Sequence, residues 1–499
     1  MDAFIPFCYY EYMKTIQDIL KLLPTLTKKD TELITAAYDF AKQAHDGQFR
    51  KSGEPYFLHV AQTGYYLAEL GMPPVVVSAG LLHDTIEDTD VTAKDIENEF
   101  GKEVLELVKG VTKLGTVKYT GLERNVENLR KFFVSMAQDP RVIIIKLCDR
   151  LHNVETLEHV REDKQKRIAL ETLEIYAPLA DRLSMGKLKG RLQDAAFPFA
   201  YKKEYEETKK LLSERKDTDE KYVIELKKDL TTTLRKAGVK ITTIDYRIKH
   251  LYSLWEKLEK YDGDISKVYD IIALRIIVPS IEDCYQTFGI IHGTYKPLPG
   301  KIKDYIALPK TNGYQSLHTT VFTGTGGIVE IQIRTEQMHL EAEYGLAAHF
   351  AYKEKIKLSN ADIKKQYEWI ERLRDTQKKI TNTEDFFDSL KMDFFNDRVF
   401  VFTPKGDVMD LPADASIVDF AYSVHSQIGD QAQGAKLNGK FVSLDTKVKS
   451  GDICEIIRAK NGKPNPKWLE FVKTSFARNK IHKYIKENSL SDKYSKYIQ

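Results

Sequence analysis

Cysteine is scarce in this 499-residue chain, and its four positions, Cys8, Cys148, Cys284 and Cys454, stand more than a hundred residues apart with no CxxC pair. That spacing argues against a disulfide framework and against a structural zinc knuckle. Glycine and proline, 27 and 16 residues, are too few for a collagen-like or low-complexity chain. No stretch approaches the roughly eighteen consecutive apolar residues that a membrane-spanning helix needs. The opening MDAFIPFCYYEYMKTI carries acids at Asp2 and Glu11 and no basic run ahead of an apolar one, unlike a signal peptide. A surplus of charge is also missing: 76 basic against 73 acidic residues leave +3, so any polyanion must be held by local clusters. These absences predict a cytoplasmic protein with no membrane partner.

What remains is a balance of 42% hydrophobic and 30% charged residues, typical of folded domains, at a length that allows two to four of them. Residues 1–200 read as helix after helix: Ala36, Ala37, Phe40, Ala41 and Ala44 recur at helical spacing, as do Leu67 and Leu70. Residues 201–240 carry dense mixed charge with sparse Leu and Tyr and end at Gly238, which predicts a partly solvated helical connector. From 241 to 355 the period changes to β-branched runs, DIIALRIIV and IVEIQIR, around a loop rich in Gly, Pro, Lys and Asn. Charged helix returns over 356–393. Over 394–458, short strands flank the turns PKGD and LNGK, with a helix near 416–427, and 459–499 form a basic helical tail. The expected fold class is multidomain, α and α+β.

The segment LLHDTIEDT (81–89) follows an apolar helical run and reads as its continuation. On a helix, His83 and Glu87 fall four apart, as do Asp84 and Asp88, giving two adjacent stripes of ligand-capable side chains. His59 lies upstream, near a bend at Pro55. Asp149 follows the apolar stretch IIIKLC, with Asn153 and Thr156 later on the same helical face. Two imidazoles and two carboxylates make a mixed nitrogen and oxygen site suited to a borderline divalent ion. Arg50 and Lys51 add positive charge for a phosphorylated ligand. A lone His-Asp dipeptide is usually a satisfied core histidine beside a solvated acid; the combination of His59, His83, Asp84 and Asp149, each in apolar context, points to a site.

In DYRIKHLYSLWEKL (245–258), Lys249, Ser253 and Lys257 recur every four residues opposite Leu251, Leu254 and Leu258, a pattern that a plain amphipathic helix also explains. Asp270 opens one apolar run, and Glu330, Gln332 and Arg334 share a face of another. Two acids on separate strands are the minimum for carrying Mg²⁺ against a triphosphate. Between them, Lys301, Lys303 and Lys310 are phosphate-seeking charges, and Gly313 allows a turn that presents the Tyr314 ring to a purine.

The strings RKSGEPYFLH, HDTIEDT, GVTKLG, CDRLHN and EIYAPLADRL resemble the HD-type hydrolase half of the RelA/SpoT homologues, which make and destroy guanosine tetra- and pentaphosphate. LPKTNGYQSLHTTV and EIQIRT closely resemble the synthetase domain of the same family. The resemblance implies an all-α hydrolase domain over 1–200 in which His59, His83, Asp84 and Asp149 hold Mn²⁺. It also implies that Glu87 and Asp88 act on the attacking water, while Arg50, Lys51, Ser52, Asn153 and Thr156 contact the nucleotide. It further implies a mixed-sheet, nucleotidyltransferase-like synthetase domain in which Arg247 stacks on adenine and Lys249, Ser253 and Lys257 hold the phosphates of ATP. There Asp270 and Glu330 carry Mg²⁺, and Glu330 is the base for the guanosine 3′-hydroxyl. Tyr314 stacks the guanine of GTP or GDP with Asn312 and His318 beside it, and Lys301, Lys303 and Lys310 complete the site. All the hydrolase residues that synthesis-only members lose are kept, so the resemblance implies a bifunctional enzyme.

Two departures stand out. KIKD (301–304) replaces the usual RxKD, exchanging a bidentate fork for a point charge. Tyr246 and Ile248 stand where the family often has Gly and Pro. VFVFTPKGDVMDLP, FAYSVHSQIG and AKLNGKFVSL resemble a TGS domain, a small β-grasp module; in the family it can touch tRNA on the ribosome, a role that falls on His425. The family's long members carry helical, Cys-rich and ACT modules that this sequence does not include. Because opposing activities in one chain would waste ATP, the connector at 201–240 is expected to couple them.

Overall fold

A computed structural model describes residues 14–112, 139–351 and 398–488, apart from residues 24, 311, 324–326, 450, 460 and 461. The charged segment expected at 356–393 lies outside the described residues. The chain divides into two units, Met1–Asp375 and Thr376–Gln499.

The first unit begins with α1 (Ile16–Lys21), α2 (Lys28–Ala44), α3 (Phe57–Glu69), α4 (Pro74–Leu81), α5 (Thr85–Asp88) and α6 (Ala93–Thr112), followed by α7 (Arg141–Glu155), α8 (Glu162–Glu171), α9 (Ala177–Arg182) and α10 (Gly186–Ala200). Reciprocal bonds between Thr15 and Asp18, and between Thr27 and Asp30, cap α1 and α2. Val60, Ala61 and Leu67 of α3, Val76, Val77 and Leu81 of α4, and Ile143, Ile144, Leu147 and Leu151 of α7 are wholly buried. α7 is apolar around most of its circumference, as a central helix must be.

Residues 81–89 are not one helix. α4 stops at Leu81, and His83 and Asp84 occupy the turn before α5. The His83 ring bonds the Gly80 carbonyl at 2.8 Å, and the Thr85 hydroxyl donates to the Leu82 carbonyl at 2.7 Å. Those carbonyls would otherwise receive the N–H groups of a continuing helix, so local side-chain bonding ends it.

α11 (Lys202–Lys236) spans the charged connector, but one face of its second half is buried. Val223, Leu226, Leu230 and Leu234 are buried with Val239, Ile244 and Leu254 in the core of the α/β region. That region contains β1 (Thr243–Ile248), α12 (Leu251–Lys260), β2 (Ile272–Val278), α13 (Ile281–Thr294), β3 (Lys303–Asp304), β4 (Leu317–Phe322), β5 (Ile328–Thr335), α14 (Glu336–Tyr344) and α15 (Leu346–Ala351). The sheet order is β1-β2-β5-β4-β3, with β2 and β5 parallel and the other pairs antiparallel. The helix expected over 245–258 is therefore a strand followed by a helix. Ile244, Tyr246 and Ile248 pair with Ile276, Leu274 and Ile272, and a period-two pattern gains more on a sheet edge than on a helix.

Register sorts the sheet into two faces. Leu274, Ile276, Ile331, Ile333, Leu317 and Val321 share the face covered by helices. Arg247, Arg275, Glu330, Gln332, Arg334, His318 and Lys303 share the other.

The helical and α/β parts meet along main chain. The Leu346 N–H donates to the Leu183 carbonyl at 2.9 Å, the Ser184 hydroxyl to the Asn312 carbonyl, and the Asn312 amide to the Asp181 carbonyl at 3.1 Å. Gly345 has φ 51°, and a Cβ there would stand 2.0 Å from the Leu183 carbonyl oxygen, so only glycine fits.

The second unit holds the hairpin β6 (Arg398–Phe402) and β7 (Val408–Pro412), then α16 (Ile417–Val424) and α17 (Ser426–Asp430). The three-stranded sheet of β8 (Ala432–Leu437), β9 (Lys440–Val442) and β10 (Cys454–Arg458) follows, and α18 (Ser475–Asn488) comes last. The basic tail is packed here: Trp468, Val472, Ala477, Ile481 and Ile485 are buried against Val418, Ala421 and Tyr422. Buried Asp419 accepts the N–H groups of Lys473 and Thr474 at 3.1 and 2.7 Å. Among the described residues, no helix is long and apolar enough to cross a membrane.

On α11, Leu230→Ala should cost about 2–5 kcal/mol. Ile224→Ala, on the exposed side of the same helix, should change stability by less than about 0.5 kcal/mol. Denaturant unfolding midpoints compare the two.

Candidate active sites

The helices α3, α7 and the turn between α4 and α5 bring His59, His83 and Asp149 together, with ligand atoms within 4.8 Å of one another. His59 Nε2 lies 3.1 Å from Asp149 Oδ1 and 3.5 Å from Asp84 Oδ2. His83 Nε2 lies 3.1 Å from Asp84 Oδ2 and 3.8 Å from Asp149 Oδ1. Because the Gly80 carbonyl can only accept, His83 donates to it from Nδ1 and turns Nε2 toward the carboxylates. That nitrogen is fully buried and makes no hydrogen bond. Burial opposes protonation of His83, but Asp84 and Asp149 raise its pKa to about 10. Burial works to raise both carboxyls, yet the positive groups around them, His83 beside Asp84 and Lys146 beside Asp149, hold them well below the usual range. Lone pairs of nitrogen and oxygen converging in a dry pocket are the donor set of a borderline divalent cation, and these residues fit one.

Around this cluster, Arg50 donates to Asn153 Oδ1 at 2.5 Å and to Thr156 Oγ1 at 3.1 Å. Asn153 in turn donates to Asp149 at 2.5 Å. Lys51 has no described contact, and the Ser52 hydroxyl is buried without a hydrogen-bond partner. Glu87, on α5, has its pKa raised by burial and by the neighbouring Asp84 and Asp88. Sequence reasoning missed four further residues. The Tyr56 hydroxyl donates to Asp84 at 2.9 Å and Asp88 at 2.8 Å. Gln48 donates to the Asp88 carbonyl at 2.7 Å, Lys146 pairs with Asp149 at 2.6 Å, and His152 bonds His59 at 2.8 Å. Lys146 and His152 were visible as polar residues inside the apolar run of α7; Tyr56 and Gln48 carried no signal.

The second cluster lies on the polar face of the five-stranded sheet. Lys249 donates to Asp270 Oδ2 at 2.6 Å, and Lys257 bonds the same oxygen. Burial disfavours the charge on both Lys249 and Asp270, but for Asp270 Lys249 more than compensates and its pKa is lowered. Ser253 lies between the two lysines on α12. His318 links Tyr314, whose hydroxyl is 2.9 Å from Nε2, to Glu330, 3.2 Å from Nδ1. Burial works to raise Glu330, but His318 brings it down to about 2, leaving an ionised carboxylate. Two carboxylates, Asp270 and Glu330, near enough to repel each other fit a hard divalent cation with a phosphate chain. Gly313 adopts φ 80°, and the tight turn from Lys310 to Tyr314 closes through the 2.8 Å bond from Gly313 N–H to the Lys310 carbonyl. The Lys310 ammonium lies 4.9 and 5.0 Å from the ring centroids of Tyr305 and Tyr314. Lys303 stands opposite His318 on β3, whereas Lys301 turns toward the Tyr269 ring at 5.9 Å. Asp304 accepts the N–H groups of Ile306 and Ala307 and the Tyr285 hydroxyl, fixing the loop. Arg275 was missed, although one arginine within an apolar strand was the signal; it shares Glu343 with the buried Arg334.

In the second unit His425 joins α16 to α17, and its ring accepts the Gln427 N–H at 3.2 Å, which makes it a helix cap.

Three family models match: the HD domain over residues 37–186, the region found in RelA / SpoT proteins over 246–357, and the TGS domain over 399–458. The chain is 47% identical over 476 residues to a guanosine-3′,5′-bis(diphosphate) 3′-pyrophosphohydrolase of Aquifex aeolicus, with 94% of this chain and 67% of that one covered. It is 44% identical over 462 residues to a GTP pyrophosphokinase of Myxococcus xanthus, with 92% and 61% covered. It is 41% identical over 485 residues to the bifunctional (p)ppGpp synthase/hydrolase SpoT of Escherichia coli, with 97% and 69% covered. The chain thus spans about two thirds of the length of these relatives. With both clusters and all three domain matches in one order along the sequence, the chain belongs to the RelA/SpoT family.

Proposed function

We propose that this chain both makes and degrades guanosine tetra- and pentaphosphate, at two separate sites. The observation that carries the reading is the coexistence of a His₂Asp₂ cluster, buried but for Asp84, and a separate cluster at the polar face of the sheet with two carboxylates, two lysines and a presented tyrosine.

In the proposed hydrolase site, His59, His83, Asp84 and Asp149 hold Mn²⁺, which when bound makes water a stronger acid and a better nucleophile at neutral pH. Glu87, with its raised pKa, and Asp88, oriented by Tyr56 and Gln48, hold and move the proton of the attacking water. Arg50, Lys51, Ser52, Asn153 and Thr156 orient the nucleotide so that its 3′-pyrophosphate meets that water, and pyrophosphate leaves.

In the proposed synthetase site, Asp270 and Glu330 carry Mg²⁺, which when bound neutralises phosphate charge. Arg247 stacks on the adenine of ATP, and Lys249, Ser253 and Lys257 grip its phosphates. Tyr314, supported by His318, Asn312 and Lys310, stacks the guanine of GTP or GDP, with Lys301 and Lys303 adding charge. Glu330 accepts the proton of the 3′-hydroxyl as its oxygen attacks the β-phosphorus of ATP, and AMP leaves. The work of the site is alignment and charge neutralisation. The second unit is proposed to contact tRNA on the ribosome through the region of His425 and the Lys- and Arg-bearing α18.

Supplying labelled ATP and GDP with Mg²⁺, and separately the tetraphosphate with Mn²⁺, scores each activity. Asp149→Asn should lower hydrolysis by about 100-fold or more and spare synthesis. Glu330→Gln should do the reverse. Wild-type chain that forms no tetraphosphate beyond Glu330→Gln would reduce the α/β region to a nucleotide sensor, and no turnover at either site would leave a binding protein. The contacts of Asp181 and Ser184 with Asn312 support coupling of the two sites through this turn. Non-hydrolysable ATP with GDP should therefore change the rate of tetraphosphate hydrolysis, and an unchanged rate rejects coupling. Binding to deacylated tRNA should weaken steeply with salt.

A further inference from the structure

His152, on α7 between Asp149 and Asn153, touches both the metal-ligand cluster and the cation assigned to the nucleotide. Its Nδ1 lies 2.8 Å from His59 Nδ1 and 3.3 Å from Arg50 NH1. The protons in this chain follow from donors and acceptors alone. An arginine has five N–H donors and no acceptor, so the His152 Nδ1 that faces Arg50 presents a lone pair. The same Nδ1 faces His59 Nδ1, so His59 must be the donor there. With its proton on Nδ1, His59 turns a lone pair on Nε2 toward Asp149 Oδ1, 3.1 Å away. The two rings lie nearly parallel, 27° apart with centroids at 5.1 Å, and His152 is 9% exposed.

We propose that His152 is a positioning residue of the hydrolase site: it accepts from both Arg50 and His59, and so fixes the tautomer and ring orientation in which His59 offers Nε2 to the cation. His83 achieves the same result with the carbonyl three residues before it; for His59, in the first turn of α3, the equivalent Tyr56 carbonyl already accepts the His59 N–H at 2.9 Å, and a side chain takes its place. The arrangement gives Arg50 a second task. Besides meeting phosphate, its guanidinium selects the tautomer of the histidine that selects the tautomer of the ligand. Partners of metal-bound histidines commonly alter affinity by about 10–100-fold.

The proposal rests on the reading of His59, His83, Asp84 and Asp149 as a metal site, and the test separates the two. Binding of Mn²⁺ alone to the full chain is followed by the loss of the free-ion paramagnetic resonance signal. His152→Leu, which removes the acceptor, should weaken Mn²⁺ about 10–100-fold. His152→Asn, whose side-chain oxygen can take the place of Nδ1, should recover most of that loss. Synthesis of tetraphosphate by each variant reports that the chain has folded. Equal Mn²⁺ affinity in wild type and His152→Leu overturns the role of His152 while leaving the metal site standing. Wild type that binds no Mn²⁺ overturns both. A second readout needs no substitution: in chain labelled with ¹⁵N-histidine, His152 should show a protonated Nε2 and a bare Nδ1, and the opposite tautomer overturns the proposal.

Discussion

Two imidazole nitrogens and two carboxylates, three of the four side chains buried and all within 3–4 Å of a neighbour, cannot be stable together without positive charge among them. His59 and His83 have their outer nitrogens committed to His152 and Gly80, so their inner nitrogens face the carboxylates. Asp84 and Asp149 stay ionised despite burial. Lys146 supplies one charge beside Asp149, and Asp84 and Asp149 hold a second on His83 by raising its pKa to about 10; a divalent cation bound here would replace that proton. The surrounding architecture serves this congestion: α7 is buried nearly all round, so Asp149 and His152 are carried by a helix with little freedom to retreat. Burial that would be a fault in an inert core becomes, around a divalent ion, the source of its grip.

The α/β region solves a different problem. Its chemistry lies on one face of a sheet whose reverse is sealed by helices, so strand register alone sets the spacing of Arg247, Arg275, Glu330 and His318. α11 contributes to that seal with Val223, Leu226, Leu230 and Leu234. A helix bonded into the core of one region and joined to α10 of the other through the single residue Tyr201 is more than a tether. Together with the bond from Leu346 N–H to the Leu183 carbonyl and that from the Ser184 hydroxyl to the Asn312 carbonyl, it makes the helical and α/β parts mechanically contiguous.

Much of this was legible in the order of residues. The β-branched runs at 272–278 and 328–335 became strands, and the alternation of Glu330, Gln332 and Arg334 with Ile331 and Ile333 became the two faces of β5. The histidines and acids of the first site were found because each interrupts an apolar context. Errors arose where side chains outbid the backbone or where burial was unseen. The helix read through 81–89 breaks because His83 and Thr85 take helix-end carbonyls. Residues 245–248 satisfied two periods at once, and pairing with β2 decided between them. The leucines of α11 and the aromatic residues near 468 are sparse among charges, so their burial could not be seen without the surfaces they meet. Supporting polar residues such as Tyr56 and Gln48 become meaningful only once the segment leading into α3 lies against α5.

Lys249 and Lys257 converge on a single oxygen of Asp270. Under the proposed function, a triphosphate claims both ammonium groups and its accompanying magnesium claims the carboxylate, so binding is an exchange of partners in which two ionic contacts are traded for others. The tally of cations in this pocket therefore overstates its appetite for bare polyphosphate. Nucleotide stripped of its metal would draw the lysines away and leave Asp270 facing phosphate oxygens of its own sign. Discrimination between the charged-up and metal-laden forms of ATP is thus written into one shared oxygen atom.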